Sequence, residues 1–369
     1  MKSAIRTLSE RDLEDLIEGA IVLGCGGGGD PQVARDTLQQ ALSQGKEFSL
    51  LDPEYLKEES WVCILGYVGG GVDPEEMALT AGLPRIWDRP ILQVAKELAN
   101  YLQVDFESYL CSEIGAGNTI ANLFVGAMQG KPVLDGDAAG KRAKPELSLS
   151  LTNITGVPVA PLAAATHYGD VAILKNVRDE VRAEQLCRYL ARASGGRLAV
   201  ARCPAKGGEI KKAVYPHSIS LAIEVGKAIR QTFSNPVQAI ADLLGCEKIF
   251  EGEVQGFSKE GKSGFVWGDI FLKGLDWYRG QKYRIWFKNE NLIAWRDDKL
   301  DITCPDHIII LDAETGRGMY NWGDQFKTGR KVSVLGMRSA DIWRTKKGLE
   351  TFGPRHFGLD LPSRLLGEK

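Results

Sequence analysis

Carboxylates, an arginine and a thiol stand among glycines at three places in the chain, and each place could support a step of a hydrolysis. The first is Asp135-Gly136-Asp137-Ala138-Ala139-Gly140-Lys141-Arg142-Ala143-Lys144-Pro145-Glu146. Asp135 and Asp137 are two apart, Arg142 carries a planar charged fork, and Glu146 follows a proline that cannot continue a helix. These residues can hold an acid, a base and an anchor for a substrate carboxylate; the competing reading is an Asx-turn network with a surface salt bridge. The second place is Ser112-Glu113-Ile114-Gly115-Ala116-Gly117-Asn118-Thr119. Here Glu113 ends a strand, the glycines open the backbone, and Asn118 is either a helix N-cap or a ligand contact. The third is Leu23-Gly24-Cys25-Gly26-Gly27-Gly28-Gly29-Asp30-Pro31. Its glycines allow N–H groups of Gly26, Gly27, Gly28 and Gly29 to approach a carbonyl or carboxylate. Cys25 beside a helix N-terminus is a candidate nucleophile, against the alternative of a small buried residue filling a tight turn.

Weaker signals follow in the second half. His217 and Ser218, in Tyr215-Pro216-His217-Ser218-Ile219-Ser220, precede a helix; His217 could serve as an acid/base group and Ser218 could cap or touch a ligand. Asp306 stands at the entry to the apolar run Ile308-Ile309-Ile310. The histidines and the seven cysteines form no metal-binding spacing, so a metal site is left unassigned and no cofactor is expected.

The elements that must carry these residues are legible in the apolar pattern. Leu13, Leu16, Ile17, Ala20 and Ile21 have helical spacing, with Ser9 and Asp12 as a capping pair. Asp30 and Pro31 open a second helix to about Ser43, so the glycine run joins helix to helix. It matches Gly-x-Gly-x-x-Gly over Gly24 to Gly29, yet lacks the strand that a dinucleotide-binding turn requires. Trp61 to Tyr67, Phe106 to Cys111 and Pro132 to Leu134 read as strands, alternating with helices after Pro90 and Asn118. The reading is an α/β N-terminal domain with a largely parallel sheet, spanning 1–165, with residues 151–165 as a passage to the next domain. A mainly antiparallel β C-terminal domain with two helices spans 166–369, with strands over Phe250–Phe257, Gly264–Leu272, Tyr283–Trp295, Ile308–Leu311 and Val332–Met337.

With 369 residues, 25% charged residues and a net charge of −2, the chain reads as a globular protein, without the basic footprint of a nucleic-acid binder. It contains no membrane-spanning apolar run and opens into a charged helix, so a cytoplasmic enzyme or binding protein is expected.

Leu-Gly-Cys-Gly-Gly-Gly-Gly at 23–29, Glu-x-Gly-x-Gly-Asn at 113–118, Asp-Gly-Asp-Ala-Ala-Gly-x-Arg-Ala-x-Pro-Glu at 135–146 and Pro-His-Ser-Ile-Ser at 216–220 resemble the S-methyl thiohydantoin desulfurase family. That family occurs beside hydantoinase/oxoprolinase subunits. One departure is Pro305-Asp306-His307-Ile308, where Pro-Asp-Leu-Ile is expected. The resemblance implies hydrolysis of a five-membered cyclic thiohydantoin, giving a hydantoin and methanethiol. Asp137 or Glu113 would then be the base and Arg142 would steady developing charge, or Cys25 would attack first. The implied partner is a small cyclic amide, with no nucleic acid and no membrane. A homo-oligomer, a hydantoinase-like protein partner that the chain needs for activity, and a nucleotide- or phosphate-binding enzyme stay open as alternatives.

Overall fold

Two sheets carry the fold over residues 4–71 and 74–368, which the computed structural model describes. The first contains β1 (Ile5–Leu8), β2 (Phe48–Leu51), β3 (Trp61–Gly69), β4 (Phe106–Cys111), β5 (Val133–Asp137), β6 (Leu162–Ala165), β7 (Val171–Leu174), β8 (Arg197–Lys206) and β9 (Tyr215–Pro216). Their order is β1-β2-β5-β4-β3-β8-β6-β7, with β9 alongside β5. The central β2, β5, β4 and β3 are parallel, as the alternating strand–helix pattern predicts. The flanking strands pair antiparallel.

Helices cover the sheet and place the glycine run. Helix Glu10–Leu23 starts at a capping box, in which Ser9 Oγ accepts from Asp12 N (3.1 Å) and Asp12 Oδ2 accepts from Ser9 N (2.9 Å). It lies very close to helix Ser218–Gln231, because a Cβ on Gly19 would stand 1.8 Å from the Ala222 carbonyl oxygen. Asp15 and Arg230 then close a bidentate pair at 2.8 and 2.7 Å across that contact. Apolar side chains of both helices, including Leu16, Ile17, Ile219 and Ile223, join one core with Phe124 and Val133. A second core, with Ile64, Leu110 and Leu134, covers the sheet's other face.

The second sheet is fully antiparallel: β10 (Glu247–Lys262), β11 (Phe265–Gly274), β12 (Lys282–Lys288), β13 (Glu290–Arg296), β14 (Lys299–Thr303), β15 (His307–Asp312) and β16 (Lys331–Met337). It curls around Phe250, Ile270, Ile285, Phe287 and Ile310. The run Tyr283–Trp295 is a hairpin of two strands rather than one, turning at Asn289 with φ +58°, and β14 follows it unanticipated.

Two further expectations meet a different arrangement. The passage 151–165 holds a short helix, Leu151–Thr155, and strand β6, whose alanines are buried in the sheet. The expected division at residue 165 therefore lies between β6 and β7, which pair with each other. Backbone bonds tie the C-terminal part to the glycine run, among them Asn291 N to Cys25 O (2.7 Å) and Asn321 N to Gly26 O (2.8 Å). Among the described residues no helix is long and apolar enough to cross a membrane.

Candidate active site

The loops after β3 and β4 leave the carboxyl ends of parallel strands, where ligands bind in α/β sheets. The glycine run crosses them there. A Cβ on Gly28 would stand 2.4 Å from Gly115 Cα, and one on Gly29 would stand 2.9 Å from Gly117 Cα, so two backbones pass each other with no room for side chains. Gly28 O accepts from Gly117 N (3.0 Å) and Asn118 N (3.2 Å), which caps helix Ala116–Gln129 with protein backbone. Asn118 is therefore not the N-cap. Its Nδ2 instead donates to Glu113 Oε1, while Glu113 Oε2 accepts from Lys144 N at 3.0 Å.

These loops and the second sheet enclose a cavity of about 440 Å³. Two buried carboxylates, Glu113 and Glu290, face it from opposite domains. Burial raises the Glu113 carboxyl, the Lys144 ammonium and N–H together with Asn118 pull it back, and Asp137 adds an upward push. Glu290 lies well above the usual carboxylate range, through burial first and then the neighbouring charge of Glu113, against which Arg142 and the Gly28 N–H act. Glu290 Oε2 is buried without a hydrogen-bond partner. Both carboxyls are held above their ordinary value, Glu290 further than Glu113, and two buried carboxylates in one cavity suit paired general base and general acid work.

Cations line the rest of the cavity. Lys144 Nζ donates to the carbonyls of Glu146 (3.0 Å) and Leu147 (3.4 Å), and burial lowers its ammonium. Arg202 is held by Glu180 Oε2 at 3.2 Å and by Ser150, Thr152 and Ser112 hydroxyls. Arg197 differs: its guanidinium stacks on the Tyr67 ring at 4.1 Å, and among the described residues it forms no ion pair. The Trp322 indole Nε1, also at the cavity, is buried without a partner. Glu146 at the rim accepts from His356 Nε2 at 2.9 Å and from Lys288 Nζ. Burial alone would raise its carboxyl, but His356 and Lys288 bring it down to about 2.

Of the residues singled out by sequence, Gly28, Gly29, Glu113, Asn118 and Glu146 line the cavity. The others do not. Asp137 is fully buried in a closed nest, accepting from Ala139 N (2.6 Å), Gly140 N (2.8 Å) and Lys141 N (2.9 Å), with Ser218 against it. Burial raises its carboxyl to about 6. Asp135 accepts from Ser220 N (2.9 Å) and Ser220 Oγ (2.7 Å), and His217 Nδ1 stands 3.3 Å from it, so this pair fixes the start of helix Ser218–Gln231. Arg142 is buried between the domains, with Nη1 donating to Pro305 O at 2.6 Å and its guanidinium over the Phe352 ring at 4.6 Å. Asp306 pins the C-terminal segment through Ser339, Arg344 and Leu366 N.

The thiol of Cys25 is buried, pointing at Leu23 O (3.4 Å), and burial pushes it up to about 11, which disfavours the thiolate that an attack needs. Gly27 N–H is spent on Gly24 O (2.8 Å), and Gly26 packs against Asn321, so only Gly28 and Gly29 border the cavity. The sequence reading did not reach Glu290, Lys144, Arg197, Arg202 or Trp322. For Glu290 a signal existed: Asn289-Glu290-Asn291 is a polar triplet inside an apolar β run. Among the described residues no group of three or more His, Cys, Asp or Glu side chains is placed to hold a metal ion.

Comparison with known proteins adds the family. The model of the S-Me-THD-like N-terminal domain matches residues 11–176, and that of the S-Me-THD-like C-terminal domain matches residues 178–365. No curated protein matches the chain. A crystal structure of a protein from Chromobacterium violaceum is similar in fold, with a TM-score of 0.77 at 20% identity over 98% of this chain and 100% of that one. The two family models together span nearly the whole molecule, including both walls of the cavity, and the chain belongs to the S-methyl thiohydantoin desulfurase (S-Me-THD-like) family.

Proposed function

We propose that the chain is a hydrolase that releases methanethiol from an S-methyl thiohydantoin bound in the cavity between the two sheets. The observation that carries the reading is the pair Glu113 and Glu290, two buried carboxylates that share one cavity. A water molecule attacks the ring carbon that bears sulfur, and ionised Glu113 takes its proton. As the water oxygen bonds to that carbon, the electron pair of the ring C=N bond moves to the ring nitrogen, which takes the proton from Glu113; a protonated Glu290 carboxyl then gives its proton to the departing sulfur as the carbon–sulfur bond breaks and receives the remaining hydroxyl proton as the carbon becomes the carbonyl of a hydantoin, so methanethiol leaves and both carboxyls return to their starting state. The Lys144 ammonium beside Glu113 favours its ionised form. Among the described residues at the cavity, the Arg197 guanidinium forms no ion pair and the Trp322 N–H has no protein partner, so both can hold ring oxygens or a ring substituent.

The test is to incubate the purified chain with S-methyl thiohydantoin and follow thiol and hydantoin together. Equal release of both supports the reading, with Glu113→Gln and Glu290→Gln each lowering turnover by about 10²–10⁴. No release by the wild-type chain, alone or with a hydantoinase-like protein, overturns it.

A further inference from the structure

Asn118 stands in the first turn of helix Ala116–Gln129, at the wall of the cavity, and its backbone is fixed on both sides. Its N–H donates to Gly28 O at 3.2 Å, and its carbonyl accepts from Asn122 Nδ2 at 3.0 Å. The side-chain amide has one orientation, because only its donor end can meet a carboxylate oxygen, and Nδ2 donates to Glu113 Oε1. Among the described residues Asn118 Oδ1 has no hydrogen-bond partner, and it is not one of the partnerless atoms sealed in the interior, so it opens on the cavity that Asn118 lines. The other side-chain amide oxygen there, Asn289 Oδ1, is spent on Val266 N at 2.8 Å. Asn118 therefore presents a neutral acceptor with an unmet hydrogen bond, directly beside Glu113.

We propose that Asn118 Oδ1 accepts a hydrogen bond from a ring N–H of the ligand, which limits the site to cyclic amides and ureides that keep that N–H free. The inference rests on the hydrolase reading above and adds the ring edge that the cavity recognises. Neutral S-methyl thiohydantoin has one hydrogen for two ring nitrogens, and both nitrogens flank the carbon that bears sulfur. One carries the hydrogen as N–H, and the other is the imine end of the C=N bond. An acceptor oxygen meets only the N–H, so Asn118 holds the hydrogen on the nitrogen that faces it and leaves the imine on the other side of the carbon. The same amide holds Glu113 through Nδ2, so one rigid group sets both the base and the ring. A ring alkylated on the facing nitrogen leaves Oδ1 unpaired, and the site discriminates against it.

The test uses hydantoin, the product ring, as a ligand that undergoes no reaction, beside its two N-methyl isomers, with affinities for the full chain measured by calorimetry. The wild-type chain is expected to bind one isomer at least about 10-fold more weakly than hydantoin. Asn118→Leu keeps the number of side-chain heavy atoms and removes the acceptor, so the ratio of the two affinities is expected to fall to about one. Loss of the Glu113 contact in this variant acts on hydantoin and isomer alike and leaves their ratio untouched. Equal binding of hydantoin and both isomers by the wild-type chain, no binding of hydantoin, or the wild-type ratio retained in Asn118→Leu overturns the proposal. Methanethiol release is scored separately: discrimination without release supports the recognition and overturns the hydrolase reading, whereas release without discrimination overturns the recognition alone.

Discussion

Gly27 offers a way to move one carboxylate without touching its chemistry. It is not among the glycines with positive φ, so alanine is compatible with its backbone. Yet a Cβ there would stand 1.7 Å from Glu290 Oε1, 2.3 Å from Cδ and 2.6 Å from Cγ. Ordinary contact requires about 3.5 Å, so the carboxyl must retreat by about 2 Å from its place beside Glu113. Misplacing a reacting group by about 1 Å costs about 10²-fold, so Gly27→Ala should lower kcat by at least about 10²-fold. Overpacking adds a loss of stability of about 1–3 kcal/mol, too little to unfold a chain of this size. The assay is thiol release by Gly27→Ala beside Gly208→Ala, where a Cβ meets nothing closer than 3.7 Å. A Gly27→Ala enzyme that folds and turns over like Gly208→Ala would refute a catalytic Glu290.

Other expectations separate structural from catalytic groups. Cys25→Ser should retain turnover, and wild-type Cys25 should resist alkylation at pH 8, because burial holds its thiol near 11; loss of activity in Cys25→Ser would revive a thiol mechanism. Glu146 is depressed from 4.5 to about 2, which is worth about 3 kcal/mol of stability present above pH 4.5 and lost as pH falls through 2. Denaturant titrations of wild type and Glu146→Gln should therefore converge in acid, and parallel curves would refute that linkage. Asp137→Asn exchanges an acceptor oxygen for a donor amide facing backbone N–H groups, so it should cost about 1–3 kcal/mol in stability. Its folded fraction should keep wild-type KM, which a substrate-binding role for Asp137 would not allow.

The parallel centre of the first sheet was legible because each strand is a short apolar run that ends in glycines or polar residues. Glu113 was legible for the same reason, standing where β4 stops and the glycine loop begins. Asp137 and Arg142 carry the right chemistry in the right loop, but chain position does not reveal which way a loop turns. Three backbone donors close around Asp137, and Arg142 is drawn between the domains by the carbonyl of Pro305. Glu290 lay out of reach because its role depends on a contact across 177 residues of chain, and a single apolar run from Tyr283 to Trp295 hid the turn that presents it. The glycine run suggests a cradle in which N–H groups of Gly26 to Gly29 approach a ligand. Their close approach is real, but it is mostly to Gly115, Gly117, Glu290 and Asn321 of the protein itself.

Turnover of S-methyl thiohydantoin in heavy-oxygen water, with the products weighed by mass spectrometry, tests the two-carboxylate hydrolysis most directly. The account predicts one heavy oxygen in each hydantoin formed, one methanethiol per hydantoin, and loss of both products in Glu113→Gln and Glu290→Gln. Hydantoin without the label, or labelled hydantoin formed at wild-type rate by either variant, would contradict it.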